Sequence, residues 1–192
     1  METRRTFHWL TGERWGDFER LFGPKGAYGG CWCMFWRQTQ AEYNRFRGEA
    51  NRQAMRAIVE AGERPGILAY LDGQPAGWMA LAPRSVYGRL ARARVLAALD
   101  DTPVWSITCF YIAKNYRRQG LMTALLRAAV DLVQQIPGSP RVLEGYPVEP
   151  RAGQTPDIYA YTGLASAFRK AGFVEAARRS PTRPIMRYSI PD

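Results

Sequence analysis

Histidine and cysteine are scarce in this 192-residue chain, which holds one of the first and three of the second. A structural zinc site takes four Cys or His ligands. Cys31-Trp-Cys33, with no second cysteine pair and His8 as the lone histidine, does not supply them, so no metal is expected. Three cysteines, Cys31, Cys33 and Cys109, are also an odd and sparse set for a disulfide framework, and they read as reduced thiols. Long apolar runs are missing too: nothing approaches the ~20 residues a membrane-spanning helix needs. The basic start METRRTFHWL lacks the apolar stretch and small-residue cleavage site of a secretory signal. The expectation is a cytoplasmic protein that does not engage membranes. Internal repeats, low-complexity tracts and a linker are absent as well, so one domain over 1–192 is expected.

What is present is ordinary globular composition, 46% hydrophobic and 23% charged, enough for a real core. Lys and Arg number 27 against 17 Asp and Glu, a formal charge of +10. Such an excess favours a polyanionic partner. Nucleic acid is the weaker choice: the basic residues are dispersed, Arg84, Arg89, Arg92 and Arg94 form the one tight stripe, and no helix-turn-helix or RNA-binding signature occurs.

Periodicity then gives the elements. Residues 4–10 read as a strand, and Thr11 as the N-cap of a helix to about Phe22. A glycine-rich loop leads to the aromatic run 31–37, read as a strand or pocket wall. A helix is predicted over 40–62 with Ala50, Ala54, Ala57, Ile58 and Ala61 near one face. Ile67–Leu71 and Ala76–Ala82 around Asp72-Gly73 make a hairpin signal. The basic stretch 84–99 reads as helical in part. Val104–Ile112 is a near-continuous apolar run, as in a strand covered on both faces. Leu121, Ala124, Leu125, Ala128, Ala129, Leu132 and Val133 form one helical stripe. A strand at 142–148 containing Pro147, a helix at about 162–171, and strands at 173–179 and 184–190 complete the chain. The class is α/β, more closely α+β: a mixed, mostly antiparallel sheet flanked by helices, without regular βαβ alternation.

Residues 104–130 carry chemistry. A buried strand ends at Ile112, a turn holds Arg117-Arg118-Gln119-Gly120, and an amphipathic helix starts at once. Helix starts expose unpaired N–H groups and the positive end of the dipole. With a glycine that lets backbone approach and two arginines alongside, this is an anion site suited to a pyrophosphate.

This segment resembles the signature Q/R-x-x-G-x-G/A of the GNAT superfamily of N-acetyltransferases, with Arg117 and Gly120 in the first two fixed places and Met122 in the last. YTGLASAFRKAGFVEAARR, residues 161–179, is similar to the family's C-terminal helix ending in Gly-Phe, here Gly172-Phe173. Order and spacing match from about residue 66 onward. The resemblance implies acetyl-CoA as co-substrate and a splay between the strands near 104–112 and 142–148 that admits its pantetheine arm. Phe110, Tyr111 and Ile112 would contact that arm through backbone, with the Ile112 N–H as oxyanion donor. Arg117, Arg118, Gln119, Gly120, Leu121, Met122 and Thr123 would wrap the pyrophosphate.

Transfer of this kind is direct attack by a neutral amine, needing a base, an oxyanion donor and a proton for the leaving thiolate. Glu144 is the candidate base, against its reading as an ordinary strand carboxylate paired with arginine. The family's acid, a tyrosine one turn before Gly-Phe, is Phe168 here; Tyr161, Tyr159 or Tyr146 could substitute, or water. Cys109 lacks an activating histidine for covalent catalysis. Trp32, Trp36 and Trp78 could line an acceptor pocket or be core. Asp100, Tyr146 and Asp157 could receive a cationic amine or be ordinary surface and core groups. The Trp-Cys-Met-Phe-Trp run, Asp-Asp-Thr-Pro and Arg-Ser-Pro-Thr-Arg-Pro resemble aminoglycoside acetyltransferases, most of all the kasugamycin 2′-N-acetyltransferase type, which implies antibiotic resistance. A housekeeping acetyltransferase of another small amine or of a protein amine fits the sequence equally. The acceptor, the acid and the oligomeric state, monomer or homodimer, stay open.

Overall fold

The apolar runs become seven strands: β1 (Arg5–Trp9), β2 (Gly66–Leu71), β3 (Gln74–Pro83), β4 (Val104–Ile112), β5 (Val142–Gly145), β6 (Val174–Arg178) and β7 (Pro184–Ser189). The computed structural model describes residues 4–150 and 157–191, with side chains of the second stretch from 160. The strands form one open sheet ordered β1-β2-β3-β4-β5-β7-β6. Every neighbouring pair is antiparallel except β4 and β5, which run parallel.

Among the described residues six α-helices flank it: α1 (Trp15–Phe22), α2 (Gln40–Phe46), α3 (Glu49–Glu60), α4 (Gly88–Arg92), α5 (Leu121–Gln134) and α6 (Ala165–Lys170). On one face α5 and α6 cover β1–β5 and β7 with a core in which Leu125, Ile107, Leu143 and Phe168 are fully buried. Complete burial of a Leu or Phe contributes roughly 1.5–3 kcal/mol each. The α5 stripe is wider than its period suggests. Leu126 and Val130 are buried beside the expected residues, and α6 packs against α5.

The opposite face carries two clusters. One joins Phe18, Trp32, Met55 and Trp78 under α1 and α3. The other joins Trp36, Tyr87, Leu90, Tyr146 and Ile185.

Several sequence expectations are revised. Residues 31–37 are not a strand but successive turns, closed by Met34 N–H to Cys31 C=O (2.8 Å) and Arg37 N–H to Met34 C=O (3.0 Å). Trp32 and Cys33 sit at φ 42° and 60°, outside the extended region a strand requires. The helix at 40–62 is two helices, broken where Arg47 turns extended and Gly48 takes φ 89°. Its buried face is Asn51, Met55 and Val59 rather than the alanines, because Met and Val remove more apolar area from water. Thr11 makes no side-chain cap; a 3-10 turn, Gly12–Arg14, intervenes before α1.

Candidate active site

β4 and β5 are ladder partners only from Val104–Ile107 against Val142–Gly145. Beyond that point β4 continues to Ile112 against β3 alone, and the other chain departs. Pro147, which has no N–H to give a ladder, lies in the departing stretch, and Val148 bridges instead to Leu164. The parting is wedged from below. Phe168 packs against Gly145 so tightly that a Cβ there would stand 2.2 Å from its ring. Phe110 meets Phe168 edge-on, centroids 6.1 Å apart. A register shift opposite Ala80 and Leu81 leaves Thr108 as an extra residue in β4, and such bulges bend a strand.

Backbone direction follows from alternation. Ala113 N–H donates to Ala76 C=O of the β3 side (3.0 Å). In an antiparallel pair successive residues turn their N–H and C=O to opposite sides, so those of Ile112 and Phe110 face away from β3, into the parting. Arg117 Nε donating to Ile112 C=O (3.1 Å) agrees.

At the end of β4 a short 3-10 turn, Lys114–Tyr116, leads to Arg117 and into α5. Arg118 and Gly120 both take left-handed backbone, φ 61° and 73°. The first α5 N–H to find the helical acceptor is that of Ala124, on Gly120 C=O (3.1 Å). Those of Leu121, Met122 and Thr123 have no acceptor four residues back in the helix. Nothing stands within 4 Å of where a Cβ on Gly120 would project, so the residue that opens the helix faces free space. Arg5 Nη2 to Gln119 C=O (3.0 Å) and Gln119 Nε2 to Asn115 C=O (3.1 Å) brace the turn. Donors, dipole, open space and flanking arginines fit a diphosphate. Met122 does not crowd this space: it is half-buried, and its Sδ accepts from Leu164 N–H (3.4 Å).

Glu144 and Tyr146 sit on the other face of the sheet in a buried polar network. The Glu144 carboxylate is 1% exposed and accepts from Arg84 Nη1 (3.2 Å), Tyr146 OH (2.7 Å) and Arg187 Nε (2.7 Å). The Tyr146 hydroxyl also accepts from Arg84 and contacts Ser106 Oγ at 2.8 Å. Burial, then the Glu144 charge, raises the Tyr146 pKa far above its ordinary value. Arg187 continues to Asp100 (2.6 Å), whose carboxyl its hydrogen bonds hold well below the usual range. This chain of groups ties the end of β3 to β4, β5 and β7 where β4 and β5 begin to diverge.

The structure therefore sets Phe110, Ile112 and Arg117–Thr123 along the end of β4 and the start of α5, whereas Tyr111, expected with them, pairs with Trp78 and by the same alternation turns its backbone groups to β3. Trp32, Trp36 and Trp78 are buried core residues, and the Trp78 N–H is taken by Cys33 Sγ (2.9 Å). Asp100 is exposed but paired with Arg187, and the Asp157 side chain lies outside the described residues. Cys109 is kept a thiol, its pKa raised by Cys33 and by burial. Sequence reasoning missed Arg84 and Arg187 as partners of Glu144, Ser106 as a partner of Tyr146, and Arg5 as a brace. Nothing in a single sequence pairs residues 43 to 60 positions apart. Among the described residues no group of side chains could hold a metal, and no helix is long and apolar enough to cross a membrane. A shallow concavity lined by Thr6, His8 and Tyr70 lies at the β1–β2 end of the sheet, remote from the parting.

The profile of the acetyltransferase (GNAT) family matches residues 31–152. No curated protein matches the chain. Among solved structures, a GNAT-family acetyltransferase from Streptococcus pneumoniae is 16% identical with a TM-score of 0.55, over 98% of this chain and 100% of that one. The aminoglycoside acetyltransferase AAC(6')-Ib with coenzyme A and kanamycin is also 16% identical, TM-score 0.55, over 97% of this chain and 95% of that one. The same enzyme with paromomycin and acetyl-CoA gives a TM-score of 0.53 at 16% identity, over 96% and 93%. At such identities the neighbours speak for the fold. The family profile, spanning more than half the chain and all of the parted strands and helix start, assigns the protein to the GNAT family of acetyltransferases, which move an acyl group from acetyl-CoA.

Proposed function

We propose that this acetyltransferase N-acetylates the primary amine of a small molecule, holding acetyl-CoA along the groove from the start of α5 to the parting of β4 and β5. The observation that carries this reading is the joint one: a helix start with unpaired donors lies at the end of a strand whose Phe110 and Ile112 N–H groups face a gap. When bound, acetyl-CoA supplies the thioester carbonyl that takes the amine's lone pair. The Leu121, Met122 and Thr123 N–H groups, with Arg118, hold its diphosphate. Phe110 and Ile112 offer backbone pairing to an extended arm. The Ile112 N–H, fixed in direction by the β3 ladder, donates to the oxyanion as it forms, a preorganised contact of the kind typically worth 10²–10³ in rate.

Glu144 is given a positioning part rather than the base expected from sequence. Arg84, Arg187 and Tyr146 occupy its oxygens, and it is buried away from solvent. The acceptor amine then loses its proton to water, and water returns one to the thiolate. Tyr146 has no free hydroxyl for that task, and Phe168 has none at all. An aminoglycoside of the kasugamycin type, hence antibiotic resistance, is the particular acceptor that the sequence resemblance singles out. The experiment is a thiol-release assay with acetyl-CoA and a panel of primary amines: kasugamycin, polycationic aminoglycosides, arylalkylamines, polyamines and amino acids. Amine-dependent thiol release matched by N-acetyl product is expected. Release with none of them, or O-acetylation alone, would overturn the reading.

A further inference from the structure

Across the sheet from α5, beside the unpaired part of β4, the chain gathers hydrogen-bond donors that have no acceptor. The Trp36 side chain is more than nine-tenths buried, 7% exposed, and its N–H finds no partner, while Tyr87, 1% exposed, has Thr108 within hydrogen-bond reach of its hydroxyl. Arg37 lies over the Tyr87 ring at 5.3 Å, its Nη2 also buried and unpaired. Arg89 lies over the Phe35 ring at 3.9 Å. It spends Nε on Phe35 C=O (2.7 Å) and Nη1 on Gln40 (2.8 Å), and its Nη2 is left without a partner.

Tyr161 links this wall to the site. It meets Phe35 edge-on at 6.1 Å and lies within electrostatic reach of Cys109 on β4, of Arg89 and of Arg183. Burial lowers the pKa of both Arg89 and Arg183, and no carboxylate of the described residues is among the groups acting on either. Arg183 has no hydrogen-bonded or ion-paired side-chain partner among the described residues. By contrast Arg84, Arg187, Arg52, Arg169 and Arg178 sit on carboxylates. A guanidinium drawn out of water without a counter-ion costs several kcal/mol, and unpaired buried donors add to that cost.

We propose that this wall is the acceptor subsite and that it takes an amine bearing a carboxylate, received by Arg183 with Arg37 and Arg89, its apolar body lying against Phe35 and Tyr161. The planar fork of a guanidinium matches a carboxylate's two oxygens. Among the described residues a polycation finds no free carboxylate in Glu144 or Asp100, which arginines already occupy. The proposal rests on the acetyl-transfer reading for the amine's role, yet its test is read without turnover.

The test is calorimetric titration of CoA-saturated protein with matched pairs that differ by a carboxylate: phenylalanine against phenethylamine, and 4-aminobutyrate against propylamine. At least one carboxylated member should bind tenfold or more tighter than its partner. Arg183→Gln should cut that preference to twofold or less, and Arg183→Lys should keep part of it. Equal affinity within both pairs, no binding by any of the four at millimolar concentration, tighter binding of a polycationic aminoglycoside, or a preference unmoved by Arg183→Gln would overturn the proposal. Those failures leave acetyl transfer to other amines standing. Carboxylate-selective binding with no acetylation would uphold the subsite and sink the transfer reading instead. Buried water satisfying the orphan donors predicts no preference and is counted among the overturning results.

Discussion

Replacing Glu144 by Gln keeps the shape of the side chain and removes its charge. In the folded protein that charge is 1% exposed and faces two guanidinium groups and a phenol. Breaking a buried ion pair by neutralising one partner typically costs 3–5 kcal/mol, because the other charge is stranded. Here Arg187 retains Asp100 and the amide oxygen still accepts one hydrogen bond, so the low end, about 3 kcal/mol, is expected. For a chain of this length that corresponds to a fall in Tm of about 6–12 °C. The assay is thermal unfolding of both proteins without ligand, followed by steady-state thiol release from pH 6.5 to 9.5. A positioning residue predicts the loss of Tm, a raised KM for acetyl-CoA as the parting of β4 and β5 loosens, and a kcat ratio that does not change with pH. An unchanged Tm with kcat down 10²–10⁴-fold and recovering as pH rises would refute the reasoning and make Glu144 the general base.

Gly120→Trp should abolish acetyl-CoA binding in calorimetry, since an indole at the residue that opens α5 would compete with the diphosphate for the proposed cradle, where the space around a Gly120 Cβ is open. Gly120→Ala carries the same strain at φ 73°, about 1–2 kcal/mol, without the bulk, and should bind; equal binding by both variants would misplace the cradle. Gly145→Ala should destabilise by about 1–3 kcal/mol in urea unfolding, because the new methyl would stand 2.2 Å from the Phe168 ring. Addition of Phe168→Leu should return part of the loss, and a neutral Gly145→Ala would show that Phe168 does not wedge the parting.

Much of this was legible in the sequence because it is local. The alternation through Asp72-Gly73, the apolar run 104–112 and the stripe from Leu121 to Val133 each carry their own period, and all became the expected elements. The strand–turn–helix junction was legible for the same reason: its parts are contiguous, so Arg118, Gly120 and the α5 start are neighbours in sequence and in space. Pro147 also announced its place, since a residue without an N–H belongs where a ladder has opened.

What the sequence hid depends on distant residues. Trp32, Trp36 and Trp78 read as pocket lining or core with equal ease, and only the packing against Phe18, Tyr87 and Met55 puts them inside. Glu144 looked like a base because its strand position was known but its partners were not. Arg84, just past the end of β3, and Arg187 of β7 lie 60 and 43 residues away in sequence. The break at Arg47-Gly48 and the turns at 31–37 have no periodic signature, since both are set by what the aromatic segment packs against.

The central claim is that the groove from α5 to the parting of β4 and β5 holds acetyl-CoA. Its most direct measurement is the thermal unfolding midpoint of the wild-type chain as acetyl-CoA is raised to millimolar concentration. A ligand that binds the folded state alone adds about 2.7 kcal/mol at 100 times its Kd, so the midpoint should climb by about 5–11 °C and level off logarithmically. A midpoint that does not move across that range would contradict the account.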